Sequence, residues 1–155
     1  MKKQKGFSLI ELLIVVAIIL IIAAIAIPNL IKSKMAANEA SAVGSLRTLT
    51  TSQIQYSSQC PTFGFATTFA ALGPGAGNCT NANLIDNQLV TGQKSGYAFT
   101  LTPGAAGPTG IVSQFTVNAD PQSTSTGTRH FFVDETGVIR YNQAAAATIT
   151  DNALQ

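Results

Sequence analysis

The hydrophobic and polar positions divide the chain into an apolar first part, an amphipathic second part and a more polar remainder. The first part is an apolar run over residues 7–27, which contains the carboxylate of Glu11 and no polar side chain from Leu12 onwards. At roughly 1.5 Å per residue, a helix of this length spans about 30 Å, the thickness of the hydrocarbon core of a bilayer. The run therefore predicts a membrane-spanning helix, and the lysines ahead of it predict a cytoplasmic N-terminus.

Helical periodicity continues after Pro28, where the composition becomes polar. Apolar residues recur at spacings of three and four, which predicts one packed face of a helix that ends near Ser58. Gly44 and several threonines weaken this helix, so we expect packing against a sheet to hold it, while Glu39 lies off the packed face. The predicted stripe consists of Leu30, Ile31, Met35, Ala36, Ala40, Val43, Leu46, Thr50 and Ile54.

Residues 61–95 are rich in glycine, threonine, asparagine and alanine, which predicts a connecting loop. Short helices are expected within it over 66–72 and 82–91. Two interpretations remain open for its aromatic side chains, which either pack the loop onto the body or form an exposed patch that contacts another subunit. These side chains are Phe63, Phe65 and Phe69.

Alternating apolar and polar residues in the last third of the chain predict four strands with turn-rich links between them. Residues 134–137 predict a tight hairpin turn. Consecutive order and short links favour an antiparallel meander packed on the long helix, which is an α+β fold. Residues 142–155 are expected to form an irregular tail over the sheet edge. The four predicted strands cover 97–102, 111–119, 129–134 and 138–141.

Glu11 is the informative residue of the apolar run, because a carboxylate inside a membrane helix is costly and usually marks a function. Two partners are open to it. The side chain can reach water and lipid headgroups at the nearby interface. Alternatively, cleavage after Gly6 would give Phe7 a new α-amino group, which could pair with Glu11 of a neighbouring subunit and select one axial stagger between subunits.

Residues 5–19, K-G-F-S-L-I-E-L-L-I-V-V-A-I-I, resemble the prepilin signal of type IV pilins and of type II secretion pseudopilins. The resemblance implies cleavage between Gly6 and Phe7 by a prepilin peptidase and N-methylation of Phe7. It makes Glu11 the fifth residue of the mature chain. It also implies that Phe7, Glu11 and Pro28 take part in assembly, with the helix near Pro28 loosening as subunits enter a filament.

An ordinary secretory signal is the competing interpretation of the N-terminus. Such signals place the apolar region before the cleavage site and discard it. Ala23, Ala24 and Ala26, ahead of Pro28, could imitate that kind of site. In the prepilin interpretation, the cut precedes the apolar region and the anchor stays with the mature chain.

The prepilin interpretation gives a linear organisation in six parts. These are, in chain order, a cleaved leader (1–6), a membrane and filament-core helix (7–28), the amphipathic half of the helix (29–60), a connecting loop (61–95), the antiparallel sheet (96–141) and a C-terminal tail (142–155).

Charge and composition argue against catalysis and polyanion binding. The leader holds three of the nine basic side chains, so the mature chain has 9 − 3 = 6 basic against seven acidic ones and is nearly neutral. The single histidine, His130, lies in a strand pattern. We find no nucleophile–base pair, phosphate loop, metal-ligand spacing or calcium loop, so no catalytic residue, metal, cofactor or nucleic-acid site is predicted.

Cys60 and Cys79 are the only cysteines. If the anchor places the C-terminal part outside the cytoplasm, both face an oxidising compartment, where a disulfide can persist. A bridge would close a loop of about 20 residues and stabilise the fold by about 3 kcal/mol in the chain-entropy model. Two free thiols are the alternative.

The sequence therefore predicts a structural protein without enzymatic activity. The resemblance implies a type IV pilus subunit that serves adhesion, twitching motility or DNA uptake. A pseudopilin of a type II secretion system or a minor pilin is the alternative. The implied partners are other copies of the chain in a helical homopolymer, the prepilin peptidase and methyltransferase, an inner-membrane assembly platform and membrane lipid. The chain would reside in the inner membrane before assembly and would lie at the cell surface, in the pilus, after assembly.

Overall fold

The computed structural model describes residues 6–154 of the chain. They form two compact units that divide after Lys34. The predicted leader, apart from Gly6, lies outside the described residues. Helix α1 (Leu9–Gln59, 51 residues) begins in the first unit and contributes residues 35–59 to the second. It ends one residue after the predicted position, and Pro61 follows closely.

In the second unit, α1 buries a face that differs from the predicted stripe. Val43, Leu46 and Thr50 are buried as expected, but Ala40 and Ile54 are exposed. The buried face runs through polar side chains that find hydrogen-bond partners in the loop and sheet, and hydrophobic periodicity cannot detect such residues. Its members are Glu39, Ala42, Val43, Ser45, Leu46, Leu49, Thr50, Ser52, Gln53 and Tyr56.

Gln53 shows how a polar residue is accommodated on this face. The side chain is fully buried. Its Nε2 donates to the carbonyl of Ala66 at 3.0 Å, and its Oε1 accepts from the amide of the same residue at 2.8 Å. The side-chain amide thus pairs with the loop backbone on both sides, so burial leaves none of these groups unsatisfied. This contact fixes the loop that follows the helix.

The disulfide between Cys60 and Cys79 ties the end of α1 to the connecting loop, and the two Cα atoms are 5.8 Å apart. This is the predicted pairing. The hydroxyl of Tyr56 donates to the carbonyl of Cys79 at 2.7 Å, so the same point is held by a second contact. The loop is therefore anchored to the last two turns of the helix.

The two loop helices are shorter than predicted. Helix α2 covers Phe69–Leu72 and helix α3 covers Asn87–Val90. Residues 82–86 do not join α3, because the amides of Ala82 and Leu84 donate to the carbonyls of residues 71 and 72. Asp86 then caps α3 by accepting from the amide of Leu89 at 2.8 Å, which sets the first turn at that residue.

Across residues 6–154 the sheet is antiparallel, as predicted, but has six strands rather than four, in the order β1-β2-β3-β4-β5-β6. The two additional strands lie at the edges, and each is two residues long, too short to show alternation. The expected tail thus contributes an edge strand. The strands are β1 (Gln93–Lys94), β2 (Tyr97–Pro103), β3 (Phe115–Pro121), β4 (His130–Asp134), β5 (Arg140–Asn142) and β6 (Asn152–Ala153).

The predicted second strand began too early. Residues 111–114 lie outside β3, because Val112 makes isolated bridges to Gly64 and Ala106 instead. These bridges join the connecting loop to the sheet. The apolar residues Ile111 and Val112 were therefore an unreliable guide to where sheet pairing begins.

The inner face of the sheet packs into the core together with α1. Residues such as Tyr97, Val117 and Phe131 alternate inward and are fully buried. Phe65 of the loop joins this core and meets Phe115 edge to face, with ring centroids 4.8 Å apart. Phe69 also packs against the core, so the packing interpretation holds for two of the loop aromatics.

Phe63 differs from them, because 57% of its surface is exposed. The outer face of the sheet is partly covered by the C-terminal tail. Phe132 points to this face and is only 7% exposed. The tail is held by polar contacts, since Asn118 Nδ2 donates to the carbonyl of Ala147 at 2.9 Å and Arg140 Nη1 donates to that of Asp151 at 2.9 Å.

One charged side chain of α1 is buried against the sheet unit. Glu39 is 7% exposed and accepts hydrogen bonds from Thr128 N at 2.9 Å, Thr128 Oγ1 at 3.1 Å and Arg129 Nε at 2.7 Å. The Arg129 guanidinium also lies over the rings of Phe131 and Tyr141, at 5.5 and 5.7 Å from their centroids. This cluster fastens the helix to the connection between β3 and β4.

Candidate functional site

The N-terminal part of α1 has an apolar surface that the described chain leaves uncovered. Side chains from Leu9 to Ile27 are largely exposed, and Leu9 reaches 81%. The helix is long and apolar enough to cross a membrane, with a mean hydropathy of 3.3 in its most apolar window of 18 residues. A surface of this kind requires lipid or other apolar helices around it.

The predicted cleavage site lies just ahead of this helix. Gly6 and Phe7 are exposed and belong to irregular backbone, and the helix begins at Leu9. Among the described residues, and apart from the chain neighbours of Gly6, no atom lies within 4 Å of the position that a Cβ on Gly6 would occupy. The predicted cleavage site therefore lies outside helix α1.

Glu11 makes a contact that the sequence reasoning missed. It stands in the first turn of α1, and its Oε2 accepts a hydrogen bond from the backbone amide of Ser8 at 3.0 Å. Ser8 precedes the helix and Glu11 follows three residues later, which is the spacing of a capping box. The signal S-x-x-E was present in the sequence. Glu11 therefore satisfies a backbone donor at the helix start, in addition to any partner outside the chain.

The hydrogen bond from Ser8 leaves the Glu11 carboxylate able to accept further hydrogen bonds. An ionised carboxylate has about four lone-pair sites, and the Ser8 amide uses one of them. The remaining lone-pair sites can therefore accept further hydrogen bonds.

Pro28 lies apart from this group, 17 residues after Glu11 and about 25 Å further along the helix axis. The helix is continuous through it. Because proline has no amide hydrogen, the carbonyl of Ala24 loses its usual donor. The side chain of Asn29 donates to the carbonyl of Ile25 at 3.1 Å in the same turn. A side-chain hydrogen bond thus lies next to the position where the helix lacks a backbone donor.

The remaining titratable side chains do not converge. Within residues 6–154, no group of three or more histidine, cysteine or acidic side chains is placed to hold a metal ion. His130 Nδ1 lies 2.6 Å from Asp120 Oδ1 on the outer face of the sheet. Asp134 accepts from the amide of Thr136 at 3.0 Å and stabilises the turn between β4 and β5. These contacts have local structural explanations.

An exposed apolar helix with a cleavage-site sequence at its start, followed by a helix-on-sheet module, defines the class of membrane-anchored prepilin-like proteins. Residues 1–27 match the family model described as the prokaryotic N-terminal methylation motif. No solved structure gives a significant match.

The comparison with curated proteins extends the match beyond the N-terminus. The chain is 36% identical over 132 residues to the type IV major fimbrial protein of Dichelobacter nodosus. This match covers 81% of this chain and 70% of that protein. The chain therefore belongs to the type IV pilin family and is a structural pilus subunit.

Two further relatives match over shorter segments. The type IV major pilin of Myxococcus xanthus is 49% identical over 57 residues, 37% of this chain and 26% of that protein. The type IV wide pilus major component of Thermus thermophilus is 59% identical over 39 residues, 25% of this chain and 30% of that protein. Less than a third of either relative is covered, so these two matches concern a limited segment.

Proposed function

We propose that the chain is the major subunit of a type IV pilus, and that residues 7–28 form the filament core after processing. The observation that carries the proposal is the uncovered apolar face of the first unit, joined to a module with its own buried core. All three relatives bear the names of major pilus components, which favours a pilus over a secretion pseudopilus.

Before assembly, the apolar helix resides in the inner membrane. The lysines of the leader keep the N-terminus on the cytoplasmic side, where basic residues accumulate. The second unit then lies across the membrane, in the compartment where the Cys60–Cys79 disulfide is stable. An inner-membrane assembly platform subsequently moves the subunit from lipid into the growing filament.

Processing prepares the contact that sets the register of the filament. A prepilin peptidase cleaves after Gly6, and the new amino group of Phe7 is methylated. Lipid is as apolar as leucine, so apolar burial alone gives little preference for the filament over the membrane. An ion pair between this amino group and Glu11 of a neighbouring copy supplies the preference, because an unpaired charge in an apolar surrounding penalises other staggers.

Pro28 has a separate role in this proposal. The helix around it lacks one backbone hydrogen bond and can loosen at low cost when subunits pack. The Asn29 side chain, already bonded to the carbonyl of Ile25, can support the rearranged turn. A filament map with an undistorted helix over 23–28 would contradict this part of the proposal.

Blocking the cleavage tests whether processing is required. We expect Gly6→Val to leave the chain unprocessed in the membrane and to abolish sheared pili, because a branched side chain stands at the scissile bond and no amino group forms on Phe7. The readout is an immunoblot of membrane and sheared fractions. Gln4→Val, with the same side chain added two positions upstream, is the matched control and should assemble normally. Parental yield of pili from Gly6→Val would contradict the proposal.

A further inference from the structure

A shallow groove runs along one edge of α1 in the second unit. It has a volume of about 360 Å³ and presents hydroxyl groups, a side-chain amide, one cation and one apolar side chain. The cation is Arg47, which is exposed and has no ion-pair partner within residues 6–154. The lining residues are Arg47, Thr48, Thr51, Ser52, Gln55 and Leu84.

An acidic turn lies elsewhere on the same unit, between β4 and β5. Its shape is fixed, since the amide of Gly137 donates to the carbonyl of Asp134 at 3.0 Å and Gly137 adopts a φ of 77°. Glu135 stands at the tip of this turn. Its described contact is a 3.3 Å hydrogen bond from Gln114 Nε2, and it has no cationic partner within the described range. Val138, at the end of the turn, is 39% exposed.

The groove and the turn occupy opposite sides of α1 at the same height. On the groove side, Ser52 Oγ donates to the carbonyl of Leu84 at 3.2 Å. On the turn side, a Cβ placed on Gly137 would lie 3.8 Å from Cγ2 of Thr50. Helix positions 50 and 52 differ by about 200° around the axis and about 3 Å along it. The groove side thus carries the cation Arg47, and the turn side carries the anion Glu135.

We propose that the turn over residues 134–138 of one copy enters the groove beside Arg47 of a second copy, with Glu135 paired with Arg47. The opposite charges favour this partner, and Val138 brings an apolar side chain towards Leu84. The contact is heterologous, because it joins two different surfaces. A heterologous contact that does not close on itself propagates into a helical filament. The inference rests on the proposed function and adds a lateral contact to the one made by the N-terminal helices.

Charge reversal tests the pairing. We expect Arg47→Glu and Glu135→Arg each to lower the yield of sheared pili at least about fivefold, because like charges then meet at every lateral contact. The double variant should recover most of the parental yield. Arg47 is exposed and Glu135 is half-buried at a turn outside the core. The amount of processed subunit in the membrane should therefore stay at the parental level, and an immunoblot of that pool checks folding.

Cross-linking tests the proximity directly. Thr51→Cys combined with Thr136→Cys should give a ladder of disulfide-linked subunits in oxidised filaments, while the unassembled subunit stays monomeric. Thr51→Cys combined with Ser123→Cys, which places the second cysteine in the exposed connection between β3 and β4, is the matched control and should give no ladder.

Three outcomes would overturn the inference. The first is a parental yield of sheared pili from both charge-reversal variants, which would mean that the groove does not contact another subunit in the filament. The second is a double variant whose yield of sheared pili stays low. The third is the absence of the cross-linked ladder. The parental chain and the Glu11→Ala variant are assayed in parallel. If the parental chain forms pili and Glu11→Ala does not, the pilin proposal stands even when the lateral contact fails.

Discussion

Replacing Glu11 with alanine is expected to lower the yield of sheared pili about a hundredfold while the precursor still inserts and is processed. Leaving the Phe7 amino group without its partner in an apolar surrounding costs about 3 kcal/mol per contact. Each 1.4 kcal/mol is about a factor of ten in an equilibrium constant. Insertion should not suffer, since loss of the carboxylate removes a polar group from a membrane helix. Immunoblots of the membrane and sheared fractions measure both effects.

Because Glu11 also accepts a hydrogen bond from Ser8, a control is needed that distinguishes its capping of the helix from its ion pairing with Phe7. Glu11→Gln keeps an acceptor at the third helical position, where glutamine also serves in capping boxes, but removes the negative charge. We expect it to assemble as poorly as the alanine variant. Parental yield from Glu11→Gln would show that the residue acts by capping its own helix, and the ion-pair mechanism would then be wrong.

The second large effect is expected at Glu39. Burial raises the pKa of this carboxyl, but the hydrogen bonds from Thr128 and Arg129 outweigh it, so the pKa lies below its ordinary value of 4.5. Glu39→Gln should destabilise the fold by about 3 kcal/mol, because the Arg129 cation loses its partner. Thermal unfolding of the full chain in detergent at neutral pH measures this change.

The direction of the pKa shift also predicts a dependence on pH. A carboxyl with a depressed folded-state pKa contributes stability above its unfolded pKa and loses that contribution as the pH falls through the folded value. The parental chain should therefore lose stability on acidification below about pH 4.5, and Glu39→Gln should lose less over the same range. Equal losses in both chains would contradict the assignment.

Asp86→Asn provides a matched control for Glu39→Gln. Asp86 also pairs with a cation, Lys94, at 2.9 Å, but its side chain is 52% exposed. Exposed ion pairs contribute about 0–1 kcal/mol, so the control should change the unfolding temperature little. A control variant as unstable as Glu39→Gln would mean that burial of the charge is not the cause.

Much of the fold could be predicted from local patterns. The apolar run required an unusually long helix, and alternation located the central strands. The turn at 134–137 followed from its residue types and is present, with Gly137 at a positive φ. The N-terminal motif predicted the family, because it places a carboxylate, Glu11, at a fixed position after the cleavage site within an apolar helix. These features depend on neighbouring residues, so they can be seen without the tertiary structure.

Other features depend on distant partners and could not be predicted in the same way. Glu39 lay off the predicted stripe, because its burial is compensated by Thr128 and Arg129, about 90 positions away. Edge strands β1 and β6 exist only because longer strands offer them free edges. The Glu11 cap differs, since its S-x-x-E spacing was visible but was overlooked beside the stronger membrane signal.

The most direct test of the account is the intact mass of the main protein sheared from the surface of native cells. We predict a dominant species that begins at Phe7, carries one additional methyl group and lacks two hydrogens because of the Cys60–Cys79 disulfide. A chain that still begins at Met1, or a processed chain confined to the membrane fraction, would contradict the conclusion that this protein is the processed major subunit of a surface pilus.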